Sequence, residues 1–453
     1  MPAVYTISAQ SSPFFEEVLS KLIYTTDNTT DNTDTDNDNN LPQSPKSINA
    51  PKAFRIKNVN TKRININNVD DISGQKNYKV LNYHNDKMNN AMYGTCGILK
   101  SLLFTEGNKL LSFSPPKAQN SENFVDMFPD LSKLQVEEFV DGTMINLFWD
   151  TAHDEWEIST RRKVGANNYY YTYTNDYHQP TFCSMFYNTA KYCELNIDQL
   201  DRNYSYSFVL SHPENRIVTK VNEPRLVLIE SYKISSNLSD DVKNCSYTVE
   251  VQDRASIMET DVFKNSKVSI PKQYDLVSYP KLMEKMNELN NNSNLLKGLV
   301  VRDIITNTRT KFITEQYNTF MFDYKTNCAD FRFMYLNMRS KRTLNNYTNA
   351  FPEHNELFNY YHNLLCDYTH FLYELYFECY RYKKKPLSQY PVHVKTHMFN
   401  LHQIYKSRAD VNGKSKMLTI QDAMTYVNNL DVPLLYDTLF VVPKVPGIIS
   451  TDL

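Results

Sequence analysis

With 453 residues, 22% of them charged, and a formal net charge of −2, the chain has room for two domains with full apolar cores. That balance gives no global pull toward nucleic acid or anionic membrane, so any such binding needs a local basic patch. No stretch approaches a run of apolar residues long enough to span a bilayer, and the amino terminus lacks the basic-then-apolar layout of a secretory signal. The 7 cysteines are odd in number and show no CxxC spacing, which points to a reducing, cytoplasmic setting rather than a disulfide framework or zinc site.

In chain order, residues 13–23 predict a short amphipathic helix, and Thr25 to Lys52 form a polar low-complexity tract that reads as a disordered linker. From Phe54 to about Thr319, β-rich runs separated by polar turns predict strands over 97–104, 109–115, 144–150, 155–161, 204–212, 225–234 and 297–303. Helices are expected over about 181–195 and 280–290. Beyond Phe320, Leu357, Tyr361, Leu364, Tyr368, Phe371, Leu375 and Tyr382 recur at three- and four-residue steps, one apolar helical stripe. Arg381, Lys383, Lys384, Lys385 and then Pro386 close it, and Thr419 with Asp422 predicts a capped start to a helix over 420–430. The expectation is an α+β chain: an N-terminal segment over 1–53, an antiparallel multi-sheet domain over 54–320, and an all-helical domain over 321–453.

Several segments follow one another in an informative order. They are GILKSLLFTEGNKLLSFSPPK (97–117), EEFVDGTMINLFWD (137–150), ISTRRKVGA (158–166), YSFVLSHPENRIV (206–218), LKGLVVRD (296–303) and TKFITEQY (310–317). This order resembles that of the covalent nucleotidyltransferases, and most closely the T4-type tRNA-repair RNA ligases, which also carry a helical carboxyl-terminal domain. The resemblance implies an ATP-grasp-like ligase domain. In that family a motif lysine attacks the α-phosphate of ATP or GTP, acidic residues on later strands serve ribose and metal, and two lysines on a final strand neutralise the phosphate. Abundant asparagine, tyrosine and lysine match AT-rich coding, so a divergent member of large-DNA-virus type, placed in host cytoplasm or virion, is expected.

Mapped onto this resemblance, the catalytic set is degenerate. The nucleophile position holds Phe139, the acidic position of the central strand holds Ser207, the glutamate before the glycine of 297–303 is Lys297, and the second lysine of the last strand is Ile313. What remains suits binding: Asp141, Gly142, Thr143, Arg161, Arg162, Lys163, Asn215, Arg216, Lys220, Arg302 and Lys311 would give a groove of positive character for nucleotide or RNA phosphates. The favoured reading is a catalytically degenerate, RNA-ligase-like binding protein without cofactor. One alternative is an active ligase using ATP and Mg2+ with a relocated lysine, Lys163 or Lys311. A third is a structural or assembly protein that uses the fold as a scaffold.

Each motif also has a plainer reading. Asp141-Gly142 is by itself a strand entering a turn, Arg161-Arg162-Lys163 a solvated turn, and the run at 381–385 a helix-end charge cluster. His393, His397 and His402 lack carboxylate partners at metal spacing, so no metal site is expected.

Overall fold

A computed structural model of the chain describes residues 3–24, 54–62, 75–84, 88, 92–169, 180–239, 241–323, 330–408 and 416–441. The tract expected to be a linker, 25–52, lies outside them. Two compact units divide the chain, the first within Met1–Tyr169 and Gln179–Asn318, the second from Thr319 onward.

The first unit contains β1 (Val4–Ser8), β2 (Phe54–Lys62), β3 (Gln75–Tyr83), β4 (Leu102–Thr105), β5 (Leu110–Phe113), β6 (Gln135–Glu138) and β7 (Thr143–Asp150). It continues with β8 (Glu155–Ser159), β9 (Tyr204–Ser211), β10 (Arg225–Asn237), β11 (Ser246–Val251), β12 (Gln273–Tyr274), β13 (Gly298–Arg302) and β14 (Arg309–Ile313). They form a six-stranded sheet in the order β1-β11-β10-β9-β7-β8 and two four-stranded sheets, β12-β6-β13-β14 and β2-β3-β4-β5. The predicted strand runs fall in this set, but the run at 97–104 begins with a 3-10 turn at Cys96–Ile98 before β4. The early residues differ more. β1 pairs antiparallel with β11, and the helix Pro13–Tyr24 buries Phe15, Val18, Leu19 and Leu22 in the same core as Tyr247 and Val249. Residues 3–24 are therefore part of the first unit's body, not a separate segment.

Strand alternation explains how the β12-β6-β13-β14 sheet, called the small sheet from here on, carries a site. Val136, Leu299, Val301 and Phe312 turn one way, onto Leu282, Met286 and Leu289 of the helix Tyr279–Asn290. Burying each such side chain contributes about 1.5–3 kcal/mol, and truncating Leu282 to alanine would cost about 2–5 kcal/mol. The register sets Glu137, Val300 and Lys311 side by side, so these share the opposite face. Arg302 pairs with both Gln135 and Arg309 one step further along. Between β6 and β7 the chain crosses from the small sheet to the large one through Phe139, Val140, Asp141 and Gly142. Gly142 has φ 149°, and a Cβ there would collide with the Leu210 carbonyl, so only glycine fits this crossing.

The second unit is helical among its described residues, as expected, with helices Phe331–Ser340, Leu344–Ala350, Asn355–Tyr376, Val392–Ser407, Ile420–Asn428 and Val432–Tyr436. The long helix buries Phe358, Tyr361, Leu365, Tyr368, Leu372 and Tyr376, so the stripe lies one residue to the side of the expected one and shares Tyr361 and Tyr368 with it. It continues as a π turn over Phe377–Arg381, which leaves Tyr382 exposed. Thr419 and Asp422 form a capping box at the start of Ile420–Asn428.

Candidate functional site

Phe139 follows β6 directly, and its backbone N–H donates to the Gly298 carbonyl at 2.9 Å. The Lys297 ammonium lies 4.4 Å from its ring centroid and the Lys311 ammonium 4.6 Å. The ring face attracts both cations, each contact contributing about 0.5–2 kcal/mol. A lysine at position 139 would instead set a third ammonium against these two, replacing attraction by like-charge repulsion. The local charge distribution thus favours the aromatic ring over the amine.

Lys297 is committed a second time. Its ammonium donates to Asp141 Oδ1 at 3.0 Å, and the Tyr317 hydroxyl donates to the same oxygen at 2.6 Å. Asp141 Oδ2 accepts from the backbone N–H groups of Val218 and Thr219, both at 3.1 Å. Four donors on one buried carboxylate make Asp141 a brace between the two sheets. It has no bonding capacity idle for a ribose. Thr143 is engaged as well, since its hydroxyl accepts from Asn215 Nδ2 at 3.1 Å.

The position expected to hold the acid of the central strand is equally closed. Ser207 is fully buried and donates to Asn146 Oδ1 at 2.8 Å, while Asn146 Nδ2 donates to the Ser114 hydroxyl at 2.7 Å. This network is neutral and self-satisfied. With Ser207 neutral and Lys297 cationic, the donor set does not fit a divalent metal, which needs hard carboxylate oxygens. Among the described residues no cluster of three His, Cys, Asp or Glu is arranged to hold a metal ion.

Cations do gather. Lys100, Lys117 and Lys311 form no salt bridge among the described residues, and each is held below the ordinary lysine range. For Lys311 the main cause is burial, followed by the charges of Lys100 and Lys297. For Lys100, burial and then Arg309 and Arg161 push the ammonium down to about 8. Arg161 joins them: its Nε donates to the Lys100 carbonyl at 3.3 Å and its guanidinium lies 4.8 Å from the Tyr83 ring centroid, with Lys117 5.7 Å from the same centroid. Glu230 acts on Lys100 in the opposite sense but is outweighed by burial and the neighbouring cations. Cations that depress one another, with no salt-bridged carboxylate among the described residues, form a site for an anion.

Several predicted groove residues lie elsewhere. Arg162 and Lys163 are exposed, and the Lys163 ammonium donates to the Asn167 carbonyl at 3.1 Å. Lys220 is exposed, while Arg216 is buried and donates from Nε to the Val218 carbonyl at 3.1 Å. Arg302 stands at the far end of β13 from Lys297, roughly 16 Å away along the strand, where it pairs with Glu230 at 3.3 Å and donates to Gln135 at 2.5 Å. Ile313 is 40% exposed and brings no charge to the end of β14. The groove of eleven expected residues contracts around Phe139, Lys297, Lys311 and Arg161. Sequence reading missed Lys100, Lys117, Tyr317 and Glu230. The two lysines lie inside the quoted 97–117 segment, and the Lys-Ser and Pro-Lys contexts there gave no sign of their convergence.

Among the described residues no helix is long and apolar enough to cross a membrane. Comparison with known proteins gives distant likenesses. No family model matches the chain. An RNA ligase of Rhodothermus phage RM378 is 27% identical over 120 residues, which is 26% of this chain and 26% of that protein. The chain thus matches about a quarter of that relative's length. Among solved structures, a putative ATP-dependent DNA ligase from Aquifex aeolicus has a TM-score of 0.35 at 16% identity, covering 55% of this chain and 59% of that one. An archaeal ATP-dependent RNA ligase has a TM-score of 0.32 at 10% identity, covering 62% of each chain. A Naegleria gruberi RNA ligase mutant with ATP and Mn has a TM-score of 0.32 at 13% identity, covering 47% and 58%. Over part of its length, then, the chain is similar in sequence to an RNA ligase.

Proposed function

We propose that the chain is an RNA-ligase-like protein that does not form a covalent nucleotide adduct and that binds a phosphate-bearing ligand, RNA or nucleotide, on the cations around Phe139. One observation carries this reading: at the position where the family resemblance requires the nucleophile, the Phe139 ring meets the Lys297 and Lys311 ammonium groups, 4.4 and 4.6 Å from its centroid. The partial sequence likeness to a phage RNA ligase and the segment order of the tRNA-repair ligases support it. Lys100, Lys117 and Lys311, which form no salt bridge among the described residues, supply the phosphate contacts.

One feature favours the second reading, an active enzyme with a relocated nucleophile. Lys311 is held well below the ordinary lysine range, so it presents a free amine more readily than an exposed lysine. Against it stands that, among the described residues, no cluster of three His, Cys, Asp or Glu is arranged to hold a metal ion.

Binding is tested by titrating a 5′-phosphorylated RNA oligonucleotide against salt. With two or three phosphates held, the slope of log K against log salt is about −1.5 to −2, and Lys117→Ala makes it shallower. A slope of zero rejects phosphate binding and leaves the scaffold reading.

A further inference from the structure

A groove of about 880 Å3 opens at the other end of the small sheet, away from Phe139. Its floor includes Gln135, Glu230, Arg254 and Arg302, and its walls include Tyr204, Phe263 and Ile304. The floor belongs to a buried ionic network: Arg254 pairs with Glu137, while Arg302 and Arg309 both pair with Glu230. None of these five side chains is more than 11% exposed. Three guanidinium groups thus face two carboxylates, which leaves one positive charge uncompensated in a low-dielectric setting. Burial alone would raise the Glu230 carboxyl, but Arg309 and Arg302 outweigh it and hold it below its ordinary value, so its negative charge is fixed and already shared. Arg302 Nε has no acceptor. The acids at the rim, Asp201 and Asp253, are exposed and accept from their own neighbours, Asn203 N and Ser256 N, at 2.9 Å each. Ser256 and then Arg254 hold the Asp253 carboxyl below its ordinary value, but from solvent that acid offsets the buried charge only weakly, and neither rim acid forms a salt bridge with Arg302.

The size suits a small organic ligand, since such sites commonly span about 300–1,000 Å3. We propose that this groove is a second ligand site, taking an organic anion whose carboxylate or phosphate ends on Arg302 and Arg254 and whose flat body lies against Tyr204, Phe263 and Ile304. Charge supplies the anchor, and the apolar wall selects an aromatic or similarly flat body over a bare inorganic ion.

The test uses benzoate and phenyl phosphate as probes on the full chain, with inorganic phosphate and phenol as controls, read by calorimetric titration. One of the two aromatic anions saturates a single site, and which one does so tells carboxylate from phosphate recognition. Ile304 is 60% exposed at the rim, so its replacement leaves folding intact. Ile304→Lys tightens that binding and Ile304→Glu weakens it, by about threefold each. Lys117→Ala, at the Phe139 site, changes it less than about twofold. The proposal is overturned if neither aromatic anion saturates, if inorganic phosphate binds as well as they do, or if both Ile304 variants bind alike. Loss of binding in Lys117→Ala also overturns it, because that result places the probe at Phe139. None of these outcomes bears on phosphate binding by RNA at Phe139, which the salt titration tests separately.

Discussion

Lys297 donates to Asp141 across 3.0 Å, joining the strand after the small sheet's last helix to the turn that leaves Phe139. The resemblance expects a glutamate at this position; Lys297 carries the opposite charge and directs it to Asp141. With the lysine side chain 17% and the aspartate 4% exposed, the pair is screened little by solvent. Lys297→Glu places two carboxylates together and is expected to destabilise the first unit by about 3–5 kcal/mol, read by urea denaturation. Unchanged stability would show that the pair does not hold the two sheets.

Phe139→Lys is the restoration most readily tried, and it should fail. It removes two cation–π contacts and adds a third ammonium to a site already crowded with cations, so the melting temperature falls, with a loss of about 2–4 kcal/mol. Phe139→Leu keeps the volume without the ring and should cost about 1–3 kcal/mol. If the lysine variant proves as stable as the parent, the charge argument for phenylalanine is wrong.

Phosphate binding at the Lys100 cluster should depend on pH. Lys100 is pushed down to about 8, below its ordinary value, so the empty site loses that proton as pH rises through 8. A bound phosphate favours the charged amine and raises its pKa, so binding takes up a proton between the two values. Affinity is therefore highest below pH 8 and falls as pH rises above it. Titrations between pH 6.5 and 9.5 read this directly, and a flat profile contradicts the assignment of Lys100 to the site.

Glu230→Gln leaves Arg302 and Arg309 without their shared carboxylate, and a loss of about 3–5 kcal/mol is expected. The sign of the pH effect follows from the same group. The Glu230 carboxyl is depressed in the folded protein, so its contribution is present above the unfolded glutamate value and is lost as pH falls through the folded one. The parent should lose stability on acidification by more than Glu230→Gln does. Parallel acid profiles for the two would remove Glu230 from the account.

How much of this was legible in the sequence depended on the range of the physics involved. Strand alternation and helical stripes are local, so β7, β9, β13 and the long helix of the second unit were readable from side-chain period alone. β1 was not, because five residues near the terminus gain their place only by pairing with β11, more than 200 positions later. That Phe139 stands where the resemblance expects a nucleophile was visible through segment order. Its physical cause was not, since Lys297 and Lys311 meet the ring only once β6, β13 and β14 are in register. Arg302 shows the converse. It was assigned to the phosphate groove by its place in a motif, whereas β13 carries it to the opposite end of the sheet, against Glu230.

The most direct test of the central claim is a search for the covalent adduct. The protein is incubated with α-labelled ATP or GTP and a divalent metal, denatured, and examined for acid-labile label retained on the chain. The account predicts none, for the parent and for Phe139→Lys alike, because the lost carboxylates as well as the lost amine stand in the way. An adduct on the parent that disappears in Lys311→Ala or Lys163→Ala would contradict it and establish a relocated nucleophile.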